Sequence, residues 1–83
     1  MSHILILCRS LTQAQRLSKE LNHSGMKSHV QRTPRSISPS GCGYCVSTMG
    51  ELDQLAELLN SSSIHPRGVY VQSEDGSYTE VAV

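Results

Sequence analysis

His3-Ile4-Leu5-Ile6-Leu7-Cys8, followed by Arg9-Ser10-Leu11-Thr12-Gln13-Ala14, is the stretch on which the fold turns. Its first half is a continuous apolar run of strand length, and such a run suits a strand covered on both faces, at the centre of a sheet. Its second half changes period. Ser10 offers an N-cap oxygen with Gln13 three residues on, a capping-box pattern, and Leu11, Ala14, Leu17 and Leu21 recur at helical spacing until Gly25 supplies the stop.

Outward from that unit, Met26 to Arg32 alternates around Met26, Ser28 and Val30 between a glycine and a proline, which predicts a short edge strand. The segment from Pro34 to Gly43 reads as loop. Tyr44-Cys45-Val46-Ser47 favours a strand, Thr48 with Glu51 repeats the capping-box pattern, and Leu52, Leu55, Leu58 and Leu59 mark a second helix. Ser61-Ser62-Ser63 ends it. His65-Pro66-Arg67-Gly68 turns the chain into a fourth strand, Val69-Tyr70-Val71-Gln72. Glu74-Asp75-Gly76-Ser77 then reads as a turn before a candidate fifth strand from Tyr78 to Val83.

The order βαββαβ predicts an α+β, ferredoxin-like sandwich with two helices on one face of an antiparallel sheet, as a single domain over residues 1–83. A right-handed crossover sets the first two strands parallel. The turn after Cys8, the start of the first helix and the loop carrying Cys42 then share one end of the sheet. His65 and Arg67 are expected on the same rim as Arg9, Arg35, Cys42 and Cys45.

Composition narrows the function classes. The 83 residues contain neither tryptophan nor phenylalanine, and 37% are hydrophobic, so the core must be aliphatic. No apolar run approaches the roughly 18 to 20 residues of a membrane span, and no basic segment precedes the first strand. We expect a soluble, cytoplasmic protein without membrane partners. Three cysteines, an odd number, argue against a secreted disulfide framework and for free thiols in a reducing compartment. Formal net charge is zero, yet six of the seven basic residues precede position 46 and six of the seven acids follow it, a polarity able to orient a charged partner. The absence of a basic run, with only three tyrosines to stack on, argues against nucleic acid.

Chemistry concentrates in Gly41-Cys42-Gly43-Tyr44-Cys45. Two thiols three positions apart can hold a metal, cycle a disulfide, or carry a sulfur or selenium atom. A carrier thiol must first ionise, and Arg35 and Arg9 supply positive charge while amides around Gly41 and Gly43 can form an anion-binding nest. Cys45 has three readings: a thiol that resolves an adduct on Cys42, a second metal ligand, or a packing residue on the third strand. A thioredoxin fold is disfavoured because a strand, not a helix, follows the motif. Tetrahedral zinc lacks a second ligand pair, although Cys8 or His65 could join the two thiols. We expect no resident metal or cofactor. Cys8 ends an apolar strand and is expected in the core. His3, His23 and His29 are scattered, and no paired acids or serine-histidine-acid set suggests an independent catalyst.

Pro34-Arg35-Ser36-Ile37-Ser38-Pro39-Ser40-Gly41-Cys42-Gly43 resembles the proline-arginine, serine, then cysteine-glycine signature of a small bacterial family of selenium/sulfur carrier-like proteins. The likeness extends in outline to the opening strand, the capped helix and the strand begun near Gly68. It implies a carrier or adaptor that accepts sulfur or selenium on Cys42, with donor and acceptor proteins as partners. Family members commonly have another residue where Cys45 stands. The competing class is a thiol redox or metal-binding module built on the Cys42–Cys45 pair. A third is a structural interaction domain, and a dimer through a sheet edge stays open.

Overall fold

In the computed structural model, which describes residues 2–38 and 43–82, the elements run β1 (Ser2–Cys8), α1 (Leu11–His23), β2 (Ser28–Arg32), β3 (Tyr44–Gly50), α2 (Leu52–Ser62), β4 (Gly68–Gln72) and β5 (Tyr78–Val81). The five strands form one sheet in the order β2-β3-β1-β4-β5, and every neighbouring pair is antiparallel. The protein is thus α+β, and the apolar run that opens the chain is the central strand. Met26 precedes the edge strand β2 and is itself buried.

Each boundary has a local cause. Gln13 N donates to Ser10 Oγ at 3.1 Å, and the Gln13 side chain accepts from Arg9 N at 2.8 Å, so the first helix begins on a reciprocal cap. It ends before Gly25, whose φ of +86° a residue with a Cβ adopts only at a cost. The second expected capping box does not form. Thr48 lies inside β3, paired with Ile4 and Ser28, and its hydroxyl donates to Lys27 O at 2.8 Å, while α2 starts four residues later, at Leu52, with Glu51 at its N-cap and no side-chain capping bond. Pairing of β3 with two strands outweighed the local cap. Ser63, in the left-handed conformation at φ 56°, closes α2.

Strand alternation divides the sheet into two faces. Ile4, Ile6 and Cys8 of β1, Val46 of β3 and Val69 of β4 pack in one cluster with Ala14, Leu17 and Leu21 of α1 and Leu55, Leu58 and Leu59 of α2. Both helices therefore cover the same face. Met26 also joins this cluster, its Cε lying 2.6 Å from where a Cβ on Gly50 would stand, so a larger residue there would make the methionine side chain shift. Leu5, Leu7, Cys45, Ser47 and Tyr70 alternate with the core residues and form the second face. Leu5 and Cys45 are nonetheless fully buried. On this face the His3 ring bonds to Ser47 Oγ at 2.7 Å and to the Gln72 side chain.

Candidate functional site

β1 and β2 both end where β3 and β4 begin. Cys8 and Arg32 each pair with Tyr44, and Leu7 pairs with Gly68, which fixes the start of α1, Thr33 and Gly43 at the two ends of the loop, and the 64–67 segment at one end of the sheet. The loop is pinned at its base by Thr33 N donating to Gly43 O at 3.2 Å. Gly43 has a φ of +100°, a conformation that favours glycine, and a Cβ there would touch Thr33 Oγ1. Inside the loop, Pro34 O accepts from Ile37 N and Ser38 N at 3.0 and 2.9 Å, making a turn that carries Arg35 exposed.

Across the rim, Arg67 N donates to Leu7 O at 2.7 Å, and Arg9 Nε donates to His65 O at 3.0 Å. Arg9 thereby ties the start of α1 to the 64–67 segment. Arg9, Arg35, Gly43, Cys45, His65 and Arg67 all belong to this end, as the crossover argument requires. Gly41 and Cys42 lie outside the described residues.

Cys45 sits on β3 between Gln31 of β2 and Leu7 of β1, on the second face. Its Sγ donates to Arg32 O at 3.9 Å. Burial pushes this thiol up from its ordinary value, while hydrogen bonds from the Thr33 and Gln31 side chains pull part of the way back. Cys8, one strand away and facing the helices, donates to Ile6 O at 3.6 Å and is pushed up to about 12, first by burial and then by the neighbouring Cys45 charge. Both thiols are therefore protonated at neutral pH, and neither is a ready nucleophile in this state. The described residues contain no group of three or more His, Cys, Asp or Glu able to hold a metal.

Two cavities open at this end. One, of ≈310 Å³, is bounded by Leu7 and Tyr70 of the second face, by Thr33, Ile37 and Ser38 of the turn, and by Arg67. Gly43 and Cys8 also line it. The other, of ≈340 Å³, lies between the end of α2 and β5 and includes His65 and Glu80. Arg67 borders both. Sequence reasoning singled out Arg67 and His65 for the rim but missed Tyr70 and Ile37. For Tyr70 a signal was present: it alternates with Val69 and Val71, so a strand that buries Val69 against the helices turns Tyr70 to the other face.

Fold and site together define a small α+β sandwich with a cysteine-bearing loop, several cations and a cavity at one end of its sheet. The chain belongs to the family described as "Putative Se/S carrier protein-like", whose model matches residues 3–71. The match takes in both helices and the first four strands, and β5 lies beyond it. No curated protein and no solved structure matches the chain. No helix among the described residues is long and apolar enough to cross a membrane.

Proposed function

We propose that the protein carries sulfur or selenium as a persulfide-type adduct on Cys42 and passes it to a partner protein in the cytoplasm. The observation that carries this reading is the withdrawal of the other two thiols. Cys8 and Cys45 are buried and held protonated, which in a family named for selenium and sulfur carriage leaves the loop cysteine as the acceptor. The sheet order and the common helix-bearing face support a ferredoxin-like framework with one added strand. In that framework the 33–43 loop stands at the rim with Arg35, Gly43 and Arg9, and amides around Gly41 and Gly43 would receive the anionic adduct.

Loading is a sulfur exchange. The Cys42 thiolate attacks the outer sulfur of a donor persulfide, a new sulfur–sulfur bond forms on Cys42, the donor's own sulfur–sulfur bond breaks, and the donor leaves as a thiolate. No electrons are gained or lost overall. Release follows by the same exchange with an acceptor thiol. A resolving role for Cys45 would require its thiolate to attack the Cys42 sulfur and expel hydrosulfide, leaving a Cys42–Cys45 disulfide, and burial of Cys45 opposes that step.

Intact mass after incubation with a cysteine desulfurase and cysteine, or with a selenium donor, tests the reading. The adduct is expected on wild type and on Cys45→Ser and is expected to vanish in Cys42→Ser. Wild type that gains no mass would overturn carriage. Adduct that persists in Cys45→Ser but converts to an internal disulfide in wild type would give Cys45 the resolving role.

A further inference from the structure

The cavity of ≈310 Å³ beside Thr33, Ile37 and Ser38 has walls of several chemical kinds. Leu7, Ile37 and Tyr70 supply carbon, Thr33, Ser38 and Tyr70 carry hydroxyls, Arg67 carries a permanent cation, and Cys8 adds a thiol that burial keeps protonated. Such a mixture fixes the class of occupant. Hydrosulfide or hydroselenide has one heavy atom and no carbon to cover the apolar wall. The volume instead falls at the low end of small-molecule sites, about 300 to 1,000 Å³, where apolar walls hold a stem and a few polar groups orient it. A guanidinium is the side chain best shaped for a carboxylate, which it takes in two parallel hydrogen bonds. Gly43 lines the same cavity and is the chain neighbour of residue 42, so an occupant lies beside the backbone that leads into the carrier position.

We propose that this cavity is a donor site for a small organic persulfide or perselenide bearing a carboxylate, of the size of cysteine persulfide. Arg67 holds the carboxylate and Leu7, Ile37 and Tyr70 cover the methylene stem. The inference rests on the carrier reading and names its substrate class. In the transfer, the outer sulfur of the bound persulfide moves with its proton to the Cys42 thiolate, the donor's sulfur–sulfur bond breaks, and the departing thiolate takes a proton from water. The exchange needs no oxidant or reductant.

The test compares two donors that differ in the carboxylate alone, cysteine persulfide and cysteamine persulfide, by the rate of adduct formation on wild type and on Arg67→Gln. Wild type is expected to load from cysteine persulfide about tenfold faster, the effect of about one charge-assisted hydrogen bond. Arg67→Gln is expected to bring the ratio near one by slowing loading from cysteine persulfide. Equal rates in wild type, or a preference that survives Arg67→Gln, would overturn the donor site, as would loading only from a persulfidated protein. Loading from no donor at all strikes the carrier reading instead. A second measurement is independent of transfer: titration of Cys42→Ser protein with S-methylthiocysteine, read by amide shifts. Shifts at Leu7, Thr33, Arg67 and Tyr70 are expected, and their absence would overturn the cavity's assignment whatever the loading assay gives.

Discussion

Ile6 and Leu7 are adjacent on β1, yet they serve two unlike surfaces. Ile6 points into a cluster closed by both helices, made up mostly of aliphatic side chains with Cys8 and Met26 among them. Leu7 points to the second face, where it shares a cavity with a tyrosine, two hydroxyls and an arginine. Cys8 and Cys45 repeat the contrast: both are buried, but Cys8 donates to a carbonyl of its own strand, whereas Cys45 is reached by polar side chains from β2 and the loop. One face stores stability. The other is partly covered, hydrogen-bonded and adjacent to Thr33, Ile37 and Gly43, and binding regions are commonly drawn from such less tightly packed parts of a fold.

The largest test of that contrast is truncation on each face. Ile6→Ala should cost about 2 to 5 kcal/mol, the range for a large aliphatic removed from a closed core. Leu5→Ala should cost less although Leu5 is equally buried, because half-buried His3, Leu7 and Tyr70 can settle into the space. Denaturant unfolding of both variants measures the difference, and equal losses would erase the distinction between the faces. Next in size is the alkaline response. An unfolded chain ionises Cys8 near 9.0, whereas the folded protein holds the proton to about 12. The unfolded state therefore loses its proton first, so the contribution of Cys8 is complete below pH 9 and declines as pH rises toward 12. The unfolding midpoint should fall across that window, and Cys8→Ala should flatten the slope more than Cys45→Ala, whose hydrogen bonds from Thr33 and Gln31 limit its shift. A steeper effect from Cys45 would reverse the ranking of the two environments. The smallest effect is expected at His3. His3→Ala removes the partner of the Ser47 hydroxyl and should cost about 1 kcal/mol, checked against Ser47→Ala, which should restore part of the loss in the double variant.

Much of the framework was legible because it is specified locally. The unbroken apolar run could only be central, Ser10 with Gln13 announced the first helix, Gly25 ended it, and Asp75-Gly76 marked the last turn, where Asp75 indeed accepts from Ser77 N and Oγ. The reading failed where local and distant interactions compete. Thr48-x-x-Glu51 satisfies the capping pattern, yet the same threonine completes a seven-residue strand between β1 and β2, and nothing within four residues reveals those partners. At the site, topology correctly gathered Arg9, Arg35, Cys45, His65 and Arg67 on one end. What it could not supply was the engagement of Arg9 with a carbonyl far along the chain, or the folding of the 33–38 turn against the second face, since both depend on contacts between segments that share no sequence pattern.

The central position of β1 also sets a schedule. Ile4 pairs with Thr48 on one side and Val71 on the other, so this apolar segment is made well before either of its neighbours is available. At about 5 to 20 residues per second, synthesis out to β4 leaves Ile4, Leu5 and Ile6 unpaired for several seconds. During that interval the nascent chain holds a sticky, uncharged strand with nothing to bind but α1 and the folding machinery around it. Strand closure over such separations is slow, which leaves the apolar run open to non-native contacts until β3 and β4 have been made.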